Sequence, residues 1–313
     1  MDRVSDVVVQ PNKHEQISHM VQAMQGWETA MAESMATPSG QFGRVVKIQT
    51  GTLTVDNNLD LEFEVPFDDD TEANEATIKI YNLTKQTIGL FAVNKEITIT
   101  AGYAADTGLL FSGVISSVST KWSGRDKVTT ITAIDSPDLK ERDVESIAFA
   151  KGTKASYILK TLVSKLGLPL AVFSVKKDYT YTEAQTVSGG LMSAIRDYAE
   201  VCGVSAYINK RKVYVRHLSE GDNLGFSVNV NTGLLDSPEE FTEETEDKTA
   251  STDKNKVTKI TKGVKFKMLL EHRVTTAGII ELKSREYSGK YRVREGKHVC
   301  TESDFYTEVT AIQ

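Results

Sequence analysis

Two cysteines, five histidines and six prolines among 313 residues leave little material for a disulfide framework, a zinc site or a proline-rich linker. Cys202 falls in a helical pattern and Cys300 in a strand pattern, so both are expected as buried, reduced thiols. The histidines His14, His19, His217, His272 and His298 are scattered, with no His-Glu-x-x-His and no Cys-x-x-Cys, which speaks against a metal centre. No apolar run approaches the ~20 residues of a membrane span, and Met1-Asp2-Arg3 is not followed by the apolar stretch of a secretory signal. The chain is also short of positive charge: 37 basic against 43 acidic residues give a net charge of −6, so no nucleic-acid partner is expected.

Catalytic signatures are missing in the same way. There is no Gly-x-Ser-x-Gly elbow, and no paired carboxylates are marked out for glycan cleavage. Gly189-Gly190 precedes a helix but lacks the Lys-Ser/Thr of a phosphate loop, so it reads as a loop leading into a helix. Asp68-Asp69-Asp70, with Glu72 and Glu75, lacks the staggered glycine-centred spacing of a calcium loop and reads as a solvated turn. No catalytic, cofactor-binding or metal-ligating residue is nominated, and the expectation is a protein that is not an enzyme and carries no cofactor.

The chain does contain 40% hydrophobic residues in strong periodic patterns, enough for two or three domain cores. From Asn12 to about Ser34, Ile17, Met20, Val21, Met24, Trp27, Met31 and Met35 recur every three or four positions, the stripe of an amphipathic helix that Thr37-Pro38-Ser39-Gly40 stops. Such a stripe docks either on its own domain or on a partner. Between Gly43 and Asp135 the period changes to two: Leu59, Leu61, Phe63 and Val65 alternate with polar partners, and strands are predicted at Ala76–Tyr81, Glu96–Tyr103, Leu109–Val118 and Val128–Asp135. Short strands at this spacing imply a sandwich or barrel.

A mixed α+β region follows. Helices are predicted over Ser156–Gly167 and about Gly190–Gly203, then a hairpin of Ser205–Ile208 and Lys212–His217 turning at a basic tip. In that tip Lys210, Arg211 and Lys212 are the sharpest basic cluster, either a plain hairpin end or an electrostatic contact for a neighbouring protein. Asp236–Lys254, rich in Asp, Glu, Thr and Ser, is predicted as a mobile loop. Strands return at Val257–Phe266, Gly278–Lys283, Tyr291–Cys300 and Phe305–Ile312. The predicted organisation is an N-terminal helical segment (1–41), a first β domain (42–145), a mixed middle domain (146–218) and a second β domain (219–313).

Three blocks in order, Ala76-Thr-Ile-Lys-Ile-Tyr-Asn82-Leu83, Ile97-Thr-Ile-Thr-Ala-Gly102-Tyr103 and Leu110-Phe111-Ser-Gly113-Val-Ile115, resemble the amino-terminal β domain of phage tail hub proteins. Thr129-Thr-Ile-Thr-Ala-Ile-Asp135 resembles that family's closing strand, and Gly152-Thr-Lys-Ala-Ser-Tyr-Ile158 the start of its middle-domain helix. Gly289-Lys-Tyr-Arg-Val293 and His298…Phe305-Tyr-Thr-Glu308 are similar to its last strands. The resemblance, to the late control protein D-like hubs of contractile phage tails and tailocins, runs from Phe42 to the end and leaves out the first forty residues and the acidic segment.

It implies two tail-tube-like β-barrel or sandwich domains flanking the small mixed one, and a homotrimeric ring that adapts a six-fold tail tube to a three-fold spike. The implied partners are the tail tube protein and a spike or tail-lysin protein, with tape measure and baseplate wedge proteins as further candidates. The implied location is the tail baseplate of a virion or phage-tail-like particle made in the host cytoplasm. Ile17, Met20, Met24, Trp27, Met31, Lys210, Arg211 and Lys212 are the candidate partner contacts. The competing reading takes Lys154–Val215 as a peptidoglycan-binding module at the tail tip, and a tail-associated hydrolase is weaker still.

Overall fold

Alternation in the sequence becomes alternation of burial wherever a strand lies over a core. The computed structural model describes residues 42–136, 143–246 and 258–313. In β3 (Leu61–Phe67) the side chains of Leu61, Phe63, Val65 and Phe67 are buried while Glu62 and Glu64 turn outward. In β4 (Glu75–Tyr81) Ala76, Ile78 and Ile80 are buried in the same way. With β1 (Arg44–Thr50), β2 (Leu53–Asp56), β5 (Glu96–Tyr103), β6 (Asp106–Ser123) and β7 (Asp126–Ile134) they enclose a first core that includes Ile48, Ile78, Ile99 and Ile131. A single turn, α1 (Lys85–Ile88), is capped by the Thr84 hydroxyl, which accepts from the Thr87 amide.

The middle part packs two helices on small sheets. α2 (Ala155–Ser164) buries Ala155, Ile158, Leu159, Leu162 and Val163, and α3 (Leu191–Val201) buries Leu191, Ala194, Ile195 and Ala199. After α3, Gly203 takes a left-handed φ of 64° that ends the helix, and its amide donates back to the Glu200 carbonyl. β8 (Asp143–Phe149) pairs with β10 (Gln185–Gly190), and β9 (Leu170–Phe173) runs parallel to β12 (Lys212–Arg216), itself in a hairpin with β11 (Ser205–Asn209). The alternation rule finds β11 and β12 but not β8, β9 and β10, which are short and only partly buried.

β13 (Asp222–Val228), β14 (Glu239–Glu246), β15 (Thr258–Leu269), β16 (Gly278–Lys283), β17 (Ser288–Cys300) and β18 (Phe305–Ile312) build the last part around Val264, Phe266, Leu282, Val293 and Val309. β14 corrects the expectation of a mobile loop over this stretch. It pairs antiparallel with β15 along its whole length: Glu239 lies across from Lys265 and Thr242 across from Lys262, while the Phe241 ring lies against Gly263. The ladder to β15, with one opposite-charge pair and an aromatic–glycine contact, thus carries a strand whose own residues are poor strand formers. The expected terminal helix over Asn12–Ser34 lies outside the described residues, as does the remainder of the acidic segment past Glu246.

The fold is therefore mainly β and antiparallel, and the two β parts repeat one pairing plan. The order β3-β4-β7-β6-β5 recurs as β14-β15-β18-β17-β16. With Ala133 of β7 set on Ala311 of β18, the registers coincide, and both long strands slip at the same place: between Ile115 and Ser117 in β6, and between Val293 and Glu295 in β17. The closing strands even share residues, Thr129-Thr-Ile-Thr-Ala-Ile134 against Thr307-Glu-Val-Thr-Ala-Ile312. The two β parts join in one sheet because β17 is long enough to serve both. Its first half pairs with β16 and its second half, Gly296–Cys300, pairs with Phe67–Phe63 of β3.

Candidate assembly surfaces and the polar seam

Where the three cores meet, the sequence places polar residues and the fold buries them. Asn74 donates through its amide to Asp135 Oδ1 (3.0 Å) and through Nδ2 to Asp135 Oδ2 (2.9 Å) and to the Ile208 carbonyl (3.2 Å), tying the first β part to the middle one. Asn209 donates to the Thr275 hydroxyl, and Thr276 donates to the Asp68 carbonyl at 2.9 Å. Arg292 of β17 reaches Asp69 Oδ2 at 3.0 Å, with side chains only 5% and 9% exposed, and donates through Nε to the Glu220 carbonyl at 2.9 Å. Arg294 Nε lies 3.5 Å from Asp69 Oδ1. The expected solvated turn at Asp68–Asp70 is thus corrected at its middle residue, since Asp70 is exposed but the Asp69 carboxylate is largely covered and serves as counter-ion to Arg292.

Burial shifts the titration of this seam. Asp135 is pushed up to about 7 by desolvation, which the two Asn74 hydrogen bonds oppose. Asp68 is likewise raised to about 7, by desolvation first and then by the neighbouring Asp70 charge. His298, on β17, is held neutral, its pKa lowered to about 3 chiefly by burial and then by the nearby Lys210 charge. It shares a 2.9 Å hydrogen bond with Thr307 Oγ1 and lies 5.0 Å from the Phe67 ring.

The basic hairpin tip turns inward. Lys210 and Arg211 both adopt left-handed backbone, φ 48° and 63°, as a two-residue hairpin demands, at a cost for residues other than glycine. Contacts with the first β part offset that cost: Lys210 Nζ donates to the Leu109 carbonyl at 2.6 Å, and Arg211 bonds Glu96. Desolvation lowers the Lys210 pKa to about 8. Lys212 is exposed. The other candidate contacts, Ile17, Met20, Met24, Trp27 and Met31, lie outside the described residues.

Among the described residues one group has metal-ligand chemistry, Asp106, Glu271 and His272. Arg273 already occupies it, forking onto Glu271 at 2.7 and 2.8 Å and reaching Asp106 Oδ2 at 3.2 Å. Burial works to raise the Glu271 pKa, but the Arg273 hydrogen bonds and charge outweigh it and hold the carboxyl below its ordinary range. A cation there would have to compete with a guanidinium that is already in place, so the group reads as a clamp on the β5–β6 turn.

Two sheet edges have no strand partner among the described residues, and sequence reasoning did not single them out. β6 pairs with β7 along its length but with β5 only as far as Val114. On that side, no strand among the described residues pairs with Ser116–Ser123, and Trp122 there is 74% exposed. Among the described residues β14 pairs only with β15, which leaves its other edge without a partner there. The signal in the sequence was the length of the β6 pattern, which runs past the end of its β5 partner.

Comparison with known proteins agrees with this architecture. The family model described as baseplate hub gp41 matches residues 43–286. Among solved structures, the 43 kDa tail protein of prophage MuSo2 from Shewanella oneidensis superposes with a TM-score of 0.63 at 6% identity, covering 87% of this chain and 98% of that one. A tail protein from Neisseria meningitidis MC58 superposes at 0.58 with 8% identity, covering 87% and 97%. The Escherichia coli c3393 protein, a component of the type VI secretion system, superposes at 0.54 with 11% identity, covering 85% and 76%. No curated protein matches by sequence. These likenesses show a shared fold, and the family match over most of its length shows that the chain belongs to the baseplate hub gp41 family, structural proteins of the phage tail baseplate.

Proposed function

We propose that three copies of this chain close into a ring that adapts a six-fold tail tube to a three-fold spike. The observation that carries this reading is the repeated pairing plan, β3-β4-β7-β6-β5 and β14-β15-β18-β17-β16, within one chain. Three chains then offer six similar sheets to the tube and three of everything else to the spike. The buried seam around Asp69 and Arg292 supports the role, because it locks the parts of each copy together as a load-bearing hub requires. Partners are the tube protein and a spike or tail-lysin protein, with tape measure and wedge proteins beside them, in a particle assembled in the host cytoplasm. The stripe of Ile17, Met20, Met24, Trp27 and Met31 serves as a contact for one of these. The mass in solution by light scattering, alone and mixed with tube protein, tests the ring. A trimer in either sample supports it, and a monomer indifferent to tube protein overturns it.

A second reading, a peptidoglycan-binding surface on the middle part, is favoured by the exposed rings of Tyr157 and Tyr179, the latter edge-on to Tyr181 at 4.9 Å. Pull-down with purified cell wall decides it, and absence of retention removes it.

A further inference from the structure

Within the shared five-strand order the two β parts match pairing for pairing, and they differ in what covers the outer half of the long strand. In the second part, the outer half of β17 is covered by β3; in the first part, no strand among the described residues covers the corresponding half of β6. The strand that corresponds to β3 is β14, whose outer edge likewise has no partner among the described residues. We infer that β14 of one copy lies antiparallel on the free half of β6 in the next, repeating between chains the join that β3 and β17 make within one. This rests on the ring reading above and names the surfaces that close it.

The register follows from the repeat. Aligning Ala133 with Ala311 makes Val118, Ser119, Thr120 and Lys121 the counterparts of Gly296, Lys297, His298 and Val299. Because Glu64 faces Thr77 and Glu239 faces Lys265, at matching rungs of the ladder, Glu239 and Thr242 are the counterparts of Glu64 and Phe67. Within the chain, Val299 lies opposite Glu64 and Gly296 opposite Phe67. Between chains, Lys121 therefore lies opposite Glu239 and Val118 opposite Thr242.

Those pairs are chemically suited. Lys121 and Glu239 are both exposed in the single chain and of opposite charge, as cross-strand partners should be. The intrachain join sets the smallest residue against a large ring, Gly296 under Phe67, and the interchain join sets two of middle size against each other, so total volume is conserved. Trp122, next along β6, gains cover at the end of the new ladder. The acidic composition of β14, Glu-Glu-Phe-Thr-Glu-Glu-Thr-Glu, discourages two such edges from pairing with each other while leaving a lysine-bearing edge acceptable. The contact joins two different surfaces, so it propagates head to tail and closes only by rotation.

The test uses the full chain under the conditions in which it trimerises, with or without tube protein. Lys121→Glu and Glu239→Lys alone are each expected to weaken trimerisation at least tenfold at low salt, and the double variant, which restores opposite charges, to recover most of it. In parallel, Lys121→Cys with Glu239→Cys is expected to give covalent dimers and trimers on mild oxidation, reversed by reductant. A trimer that ignores both charge reversals and fails to cross-link overturns the strand assignment while the ring reading stands. A wild-type chain that stays monomeric even with tube protein overturns the ring reading and this inference with it.

Discussion

Phe67 belongs by sequence to β3 of the first β part, yet its ring is buried in the core of the last one. It lies 5.0 Å from the His298 ring, and a Cβ on Gly296 would come within 2.7 Å of its Cζ. Truncation by Phe67→Ala should therefore remove a ring that binds two cores together. Phe→Ala changes at buried sites cost about 3–5 kcal/mol, the larger values applying where neighbours cannot collapse into the space. Here β3 and β17 are held by their own ladders on both sides, which limits collapse, so a loss of about 4 kcal/mol is expected. Denaturant unfolding followed by circular dichroism, with calorimetry alongside, would read both the loss and any separation of the transition into two steps. A destabilisation below about 1 kcal/mol, within the range of ordinary surface changes or little above it, would refute the claim that this ring couples the two parts.

Two buried titratable groups should bend the pH profile in opposite senses. His298, lowered from 6.5 to about 3, contributes stability that is complete above pH 6.5 and is lost as pH falls toward 3. Asp135, raised from 3.8 to about 7, contributes stability that is complete below pH 3.8 and is lost as pH rises through 7. Relative to wild type, His298→Gln should thus gain stability on acidification from pH 6.5 and Asp135→Asn should lose it on acidification from pH 7, each by up to about 1.4 kcal/mol per pH unit. Unfolding free energies from pH 4 to 8 check this, and curves parallel to wild type would sink it. Asp69→Asn leaves the buried Arg292 guanidinium without its carboxylate and should cost about 3–5 kcal/mol, most of it recovered in Asp69→Asn with Arg292→Met. If the double variant is no more stable than the single one, the pair is not the unit that matters.

How much of this could be read beforehand depends on the range of the forces involved. β3, β4 and β18 were legible because each carries its own alternation, and α2 and α3 because their apolar spacing is local. β14 was not, because the ladder that holds it is made with β15, a partner that nothing in its own acidic segment announces. Asp69 and Arg292 are more than two hundred positions apart, and neither residue looks unusual in its own segment. The internal repeat was open to inspection in the matching closing strands, Thr129–Ile134 and Thr307–Ile312, but only the pairing order turns that short match into two copies of one plan.

In the proposed ring, the join inside the chain and the join between chains would use the same ladder but should differ in strength. Within the chain, the β3–β17 ladder is reinforced by the buried Phe67 ring, by the Asp69–Arg292 pair and by the Thr276 hydroxyl on the Asp68 carbonyl. None of these has a counterpart at β6 and β14, where Val118 and Thr242 replace Gly296 and Phe67 and the charges on Lys121 and Glu239 begin in water. Exposed cross-strand pairs contribute only about 0.2–1 kcal/mol each, and ion pairs among them are weakened by salt. Each copy is therefore expected to hold together as one body while the ring stays sensitive to concentration and ionic strength. That asymmetry suits an assembly in which copies must remain soluble until a tube end gathers them, because the template supplies the local concentration that the weak edge contact lacks.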